Sequence, residues 1–154
     1  MDLGCYPLNW ALSVMDEEPT DVEARASLTR GGVDETMDAT LAFEGGATAT
    51  LHCSMTSGVP FETGLTITGT EGMIRFDNPL LPHQGGTLCV TTQGQERNIP
   101  ISPISTYTWQ LAAVVNALQT GEGLPTEGEA ILRQQRLLDA IYSAAELGEL
   151  RAPA

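Results

Sequence analysis

The chain contains no lysine; its seven basic residues are the arginines Arg25, Arg30, Arg75, Arg97, Arg133, Arg136 and Arg151. Chemistry that needs a lysine ammonium therefore cannot be completed by these residues alone. Basic charge is scarce altogether, since seven Lys+Arg stand against 20 Asp+Glu for a formal net charge of -13. Such a field repels phosphate backbones and anionic bilayers, and no basic stripe overrides it, so neither nucleic acid nor a membrane surface is an expected partner. Cysteine is sparse too. Cys5, Cys53 and Cys89 are widely spaced, with no C-x-x-C pair to hold zinc or run dithiol chemistry, and they read as buried thiols of a reducing compartment. No apolar run approaches the roughly 20 residues of a membrane span, and the N-terminus lacks a basic segment followed by an apolar one. The expected location is cytoplasmic.

What the chain does have is ordinary globular material. Its 154 residues are 42% hydrophobic and 18% charged, enough to fold and enough for one domain, 1–154, with its own core. From Cys5 to Met15 the residues are apolar nearly all round, which predicts a short, largely buried helix with Pro7 tolerated in its first turn. "DEEPT" ends it. The period then changes to two: Val22, Ala24, Ala26 and Leu28 alternate with Glu23, Arg25, Ser27 and Thr29, the pattern of a strand with one face packed. Met37 to Phe43 and Ala47 to Met55 repeat that pattern, separated by "RGGVD" and "EGG" turns. "FETGLTITGT", "EGMIRFDN", "TLCVTTQG" and "QERNIPI" add four more short strands. Turn signals at such short intervals require antiparallel hairpins, because parallel pairing needs a longer crossover.

The end of the chain is helical. "STYTWQLAAVVNALQTG" places Trp109, Leu111, Ala112, Val115 and Leu118 at helical spacing, with Ser105 or Thr106 as cap and Gly121 as stop. "TEGEAILRQQRLLDAIYSAAELGEL" carries an apolar stripe of Ile131, Leu132, Leu137, Leu138, Ile141, Tyr142 and Ala145, with Gly148 near its end. The fold class is therefore α+β: a mostly antiparallel, open-faced β-sheet with helices from both chain ends packed on one face.

The opposite face of that sheet collects Thr40, Thr48, Thr50, His52, Ser54, Thr66 and Thr68. Two readings stand. It is a solvated face, as antiparallel sheets often have, or it pairs with a copy of itself, since small uncharged side chains cost little to desolvate. His52 and His83 have no partner at metal-ligand spacing, and no metal is expected.

The opening "DLGCYPLN" is dense in polar chemistry. Asp2 and Tyr6 are four apart, so a helical turn brings them to one face. Taken alone, Asp2 could cap the helix and Tyr6 could be a core aromatic. Taken with the acidic Pro turn, the "VDET" strand, the "GTEG" turn and the closing "AIYSAAELG", the pattern D-x-G-x-[H/Y]-x-x-[D/N] resembles the C-terminal domain of the Gfo/Idh/MocA oxidoreductases. With Tyr rather than His, it resembles in particular the branch of glucose-fructose oxidoreductase, dimeric dihydrodiol dehydrogenase and NADP-dependent xylose dehydrogenase.

The resemblance implies a two-domain enzyme in which an N-terminal Rossmann domain, absent from this chain, binds NAD or NADP and supplies a catalytic lysine. This domain alone would bind no cofactor. It implies that Asp2 and Tyr6 are catalytic, with Tyr6 at the acid–base position, and that Asn9 contacts substrate. A tyrosine removes a hydroxyl proton only when a neighbouring cation lowers its pKa from about 10, and in the family that cation is the lysine. The chain has no G-x-G-x-x-G after a strand, so the pyrophosphate-binding part is not here, and Gly31-Gly32, Gly45-Gly46 and Gly85-Gly86 are turn glycines. Met1 falls inside the family motif, so the chain is expected to be a cut end. The function implied is the substrate-binding and oligomerisation half of a sugar, polyol or trans-dihydrodiol dehydrogenase, inactive in isolation, with a small sugar or polyol as substrate and a homo-oligomer formed through the Thr-rich face. The alternatives are a stand-alone dimeric sugar-binding or structural module without catalysis, and an unrelated α+β protein in which Asp2 and Tyr6 are structural.

Overall fold

A computed structural model describes residues 3–147. In chain order its elements are α1 (Cys5–Met15), β1 (Asp21–Leu28), β2 (Asp34–Ala42), β3 (Thr48–Ser54), β4 (Gly64–Gly69), β5 (Gly72–Asp77), β6 (Thr87–Thr92), β7 (Gln95–Ile99), α2 (Thr106–Thr120) and α3 (Glu129–Ala144). The α+β class and the antiparallel pairing agree with the sequence reading. The number of sheets differs, because the strands form β1-β2-β3 and β4-β5-β6-β7 rather than one sheet. Residues 55–63 separate β3 from β4 with Gly58, at φ 83°, and Pro60, a connection far longer than the two-residue turns that hold sequential strands in register. The chain divides accordingly into two compact units, Pro60–Pro125 and the remainder.

In the first unit the register places apolar residues side by side. Met37 lies between Ala26 and Cys53, Ala39 between Ala24 and Leu51, and Leu41 between Val22 and Ala49. Because side chains alternate across a strand, all of these project to one face. That face meets α1 and α3, the helices from the two chain ends, in a core of Leu8, Leu12, Met37, Leu41, Leu51, Leu137, Ile141 and neighbours. Pro7 sits in the first turn of α1, where its missing N–H forfeits no helical bond. The helix stops at Asp16, which takes a left-handed φ of 46° and donates its N–H to the Leu12 carbonyl. The expectation of a largely buried α1 is met on one side of the helix only. Leu8, Ala11 and Leu12 are buried, whereas Tyr6 and Val14 on other sides are exposed.

In the second unit β4 to β7 form an antiparallel meander in which Leu65, Phe76, Leu88 and Ile99 make one cross-strand row and Ile67, Ile74 and Val90 another. Gln93 and Gly94, both at positive φ (52° and 75°), make the two-residue turn between β6 and β7 that matches strand twist. Gly72 has a different reason to be glycine: a Cβ there would lie 2.0 Å from the Thr91 carbonyl oxygen. Helix α2 forms where its signals place it, with Ser105 accepting from the Tyr107 N–H at 3.3 Å and Gly121 closing at φ 75°. None of its residues is buried.

Candidate functional site

Of the three residues singled out in the opening motif, Tyr6 and Asn9 lie on α1, while Asp2 falls outside the described residues. On a helix of 3.6 residues per turn, Leu8, Ala11 and Leu12 define the core-facing side, and Tyr6 stands nearly opposite. Its side chain is 44% exposed, which sets aside the core-aromatic reading of this tyrosine. Asn9 lies at the flank of the helix and is half-buried against α3. Its Nδ2 donates to Gln134 Oε1 at 3.2 Å, and Gln134 Nε2 donates to the Cys5 carbonyl oxygen at 3.2 Å. One glutamine on α3 thus holds the turn of α1 that carries Tyr6. The neighbouring Arg133 holds the segment that follows that helix, its guanidinium donating to Glu18 Oε1 at 2.7 Å and to the Glu17 carbonyl. Neither contact is legible in the sequence, because the partners are more than a hundred residues apart and nothing in local spacing marks them.

A further part-buried polar contact of this unit involves another tyrosine. Tyr142, read in the sequence only as part of an apolar stripe, is 5% exposed and donates its hydroxyl to Asp34 Oδ1 at 2.9 Å. Burial first, and the Asp34 carboxylate second, push its phenol well above the usual tyrosine value, so the proton stays on the oxygen. The two tyrosines are therefore opposites: Tyr142 is a satisfied structural donor and Tyr6 is available at a surface. The cysteines are half-buried, and burial pushes the Cys53 thiol up, which keeps it protonated and unreactive.

The open face of the first sheet combines hydroxyls with charge. Thr36, Ser54 and Thr56 form a cluster with Thr36 to Ser54 and Ser54 to Thr56 both at 2.8 Å. His52 Nδ1 meets Asp38 Oδ1 at 2.6 Å across the β2–β3 pair, and Arg25 lies opposite Asp38 on β1. The uncharged side chains expected on this face are interrupted by charge in both rows, since Glu23 lies opposite Thr40 in the row of the Thr40–Thr50 pair. Thr66 and Thr68 belong to the second sheet, so the seven residues grouped in the sequence do not share one sheet face. Among the described residues no group of three or more His, Cys, Asp or Glu side chains could hold a metal ion, and no helix is long and apolar enough to cross a membrane.

Comparison with known proteins places this geometry. Residues 1–75 match the family profile of the GFO/IDH/MocA C-terminal domain. The chain is 30% identical over 152 residues to "D-xylose 1-dehydrogenase (NADP(+)) 2" of Haloferax volcanii, covering 96% of this chain and 46% of that protein. It is 36% identical over 102 residues to trans-1,2-dihydrobenzene-1,2-diol dehydrogenase of Danio rerio, covering 66% of this chain and 29% of that protein. Among solved structures, the aldose-aldose oxidoreductase of Caulobacter crescentus, complexed with glycerol, superposes with a TM-score of 0.81 at 27% identity, covering 93% of this chain and 44% of that one. The chain spans about half the length, or less, of these relatives.

Proposed function

The chain belongs to the GFO/IDH/MocA C-terminal domain family, and from that premise we propose that it is the substrate-binding and oligomerisation half of an NAD(P)-dependent sugar, polyol or trans-dihydrodiol dehydrogenase. The observation that carries the reading is Tyr6: an exposed phenol at the acid–base position of the motif, on a helical turn tied to α3. In this reading Tyr6 exchanges a proton with the substrate hydroxyl at the carbon being oxidised or reduced, Asp2 assists it, and Asn9 orients the substrate. NAD or NADP, supplying or accepting the hydride when bound, is held by a separate Rossmann half together with the catalytic lysine, and no residue of this chain is assigned to it.

Homo-oligomerisation through the hydroxyl-bearing open sheet face, and a cytoplasmic location, belong to the same proposal. Support for the interface is the run of hydroxyls from Thr36, Thr40, Thr50, Ser54 and Thr56, while Glu23, Arg25, Asp38 and His52 in the same rows would have to find partners across it.

The test compares oxidation of D-xylose, other aldoses and trans-dihydrodiols, with NAD and with NADP, by this chain alone and by the chain extended upstream through its reading frame. Turnover is expected only in the extended protein, and Tyr6→Phe should lower it by about 10²–10⁴-fold, the range for a positioned acid–base group. Full activity in Tyr6→Phe would remove the assignment. Cofactor-independent sugar binding by a stable dimer, with no Rossmann half to join, would replace it with the binding-module reading.

A further inference from the structure

The contact between Asn9 and Gln134 contains an assignment that follows from hydrogen-bond chemistry alone. A backbone carbonyl can only accept, so the end of the Gln134 amide that meets the Cys5 carbonyl oxygen at 3.2 Å must be its NH₂. The other end, which meets Asn9, is then the carbonyl oxygen Oε1, and only a donor satisfies it. Asn9 must therefore turn its own NH₂, Nδ2, toward α3, as the 3.2 Å contact has it. Both amides are set by one unambiguous acceptor. The consequence lies on the far side of Asn9: one N–H of its NH₂ is engaged inside the protein, and its acceptor Oδ1 receives no bond from any described residue.

We propose that Gln134 is a positioning residue that fixes the Asn9 amide with its NH₂ toward α3, so that Oδ1 is the end left to accept a hydrogen bond from a ligand hydroxyl. The ligand's identity as a sugar or polyol rests on the reading given under Proposed function; the orientation of the amide does not. Asn9 and Tyr6 are three residues apart on α1, so the outward Oδ1 and the exposed phenol lie on neighbouring parts of the same helix surface. Such a pair distinguishes ligands by where they carry hydroxyl hydrogens. A ligand group that only accepts, such as a fluorine or ether oxygen in place of the hydroxyl, would face Oδ1 as an unpaired acceptor.

Nuclear magnetic resonance on the isotope-labelled 154-residue chain decides it. Gln134→Leu removes both bonds: hydrogen exchange of the Asn9 carboxamide should speed up roughly fivefold, the ratio that one hydrogen bond of ordinary net strength supports, and the Cys5 carbonyl carbon should lose its hydrogen-bonded shift. Gln134→Glu keeps an acceptor for Asn9 but has no donor for Cys5, so Cys5 alone should change. That variant also serves if Gln134→Leu fails to fold. Asn9→Asp presents only acceptors to Gln134; the glutamine should turn over and the Cys5 bond should be lost although Gln134 is intact. An unchanged Asn9 carboxamide in Gln134→Leu, or release of Asn9 but not of Cys5 in Gln134→Glu, overturns the orientation.

The ligand half is read by titrating D-xylose and a series of its monofluoro-deoxy analogues into the protein joined to its cofactor half. D-xylose should move the Asn9 carboxamide carbon, and one fluoro analogue should lose that shift. Sugar binding that leaves Asn9 unmoved overturns the acceptor role. Absence of any sugar binding overturns the functional reading and the ligand half with it, while the exchange data still decide what Gln134 does.

Discussion

The two units of this protein are built from similar strands and stabilised differently. In the unit of α1, β1 to β3 and α3, apolar rows of the sheet meet two helices, and Leu8, Met37, Leu41 and Ile141 are essentially out of contact with solvent. In the unit of β4 to β7 and α2, no residue is buried, although the cross-strand rows Leu65–Phe76–Leu88–Ile99 and Ile67–Ile74–Val90 are as apolar as their counterparts. Those rows are mostly half-buried, beside hydrogen-bonded ladders and turns with the right backbone chemistry. Helix α2 is the extreme case. It carries no charged residue over fifteen positions, yet Leu111 is 65% and Leu118 82% exposed. An apolar period thus specifies which side of an element is suited to burial, and a separate fact, the arrival of another element, decides whether burial happens.

The contrast can be broken most directly at the first core. Leu41→Ala and Ile141→Ala should each cost about 2–5 kcal/mol, read as a shift of the denaturant midpoint, because each deletes a fully buried side chain and leaves a cavity. Matching truncations at Ile74 or Val90 should cost clearly less. Equal costs in the two units would erase the distinction. Next in size is Gly72→Ala, whose Cβ would collide with backbone rather than with a movable side chain. It should destabilise the second unit by about 1–3 kcal/mol, with the loss of exchange protection confined to β5 and β6.

Tyr142→Phe should cost about 1–3 kcal/mol near neutral pH, since it leaves Asp34 without the hydroxyl it accepts from. The same residue predicts a pH dependence. Its phenol pKa is raised in the folded state, so the proton held by the folded form makes a contribution that is complete below the unfolded value of about 10. That contribution is lost as pH rises from there toward the folded value, and the alkaline slope of stability should flatten in Tyr142→Phe. The smallest effect is expected at Leu118→Gln on α2, within about 0.5 kcal/mol, as for surface substitutions generally. A cost of several kcal/mol there would mean that the helix is covered in solution.

Much of the fold could be read from the residues, and the reasons are local. The stop at Gly121 and the Ser105 cap follow from backbone and side-chain geometry within a few positions, and α1 begins and ends near where its composition changes. The candidate site was legible only as far as Tyr6 and Asn9, through a motif whose spacing fits one helical face. Gln134 was not legible. A glutamine in the middle of a helix has no local signature, and its role exists only because α3 comes to lie beside α1.

What the amino-acid sequence determined by itself is what short-range stereochemistry and composition dictate: alternating strands, three helices, glycine turns, a strongly acidic surface and the absence of any lysine. Tertiary structure decided the rest. It divided the strands between two sheets, buried one tyrosine on Asp34 while leaving Tyr6 at the surface, buried one apolar sheet face and left the other mostly half-buried, and turned the Asn9 amide through a residue 125 positions away. Side-chain direction is written every two or 3.6 residues along the chain, whereas burial and hydrogen-bond partnership depend on which distant surfaces meet.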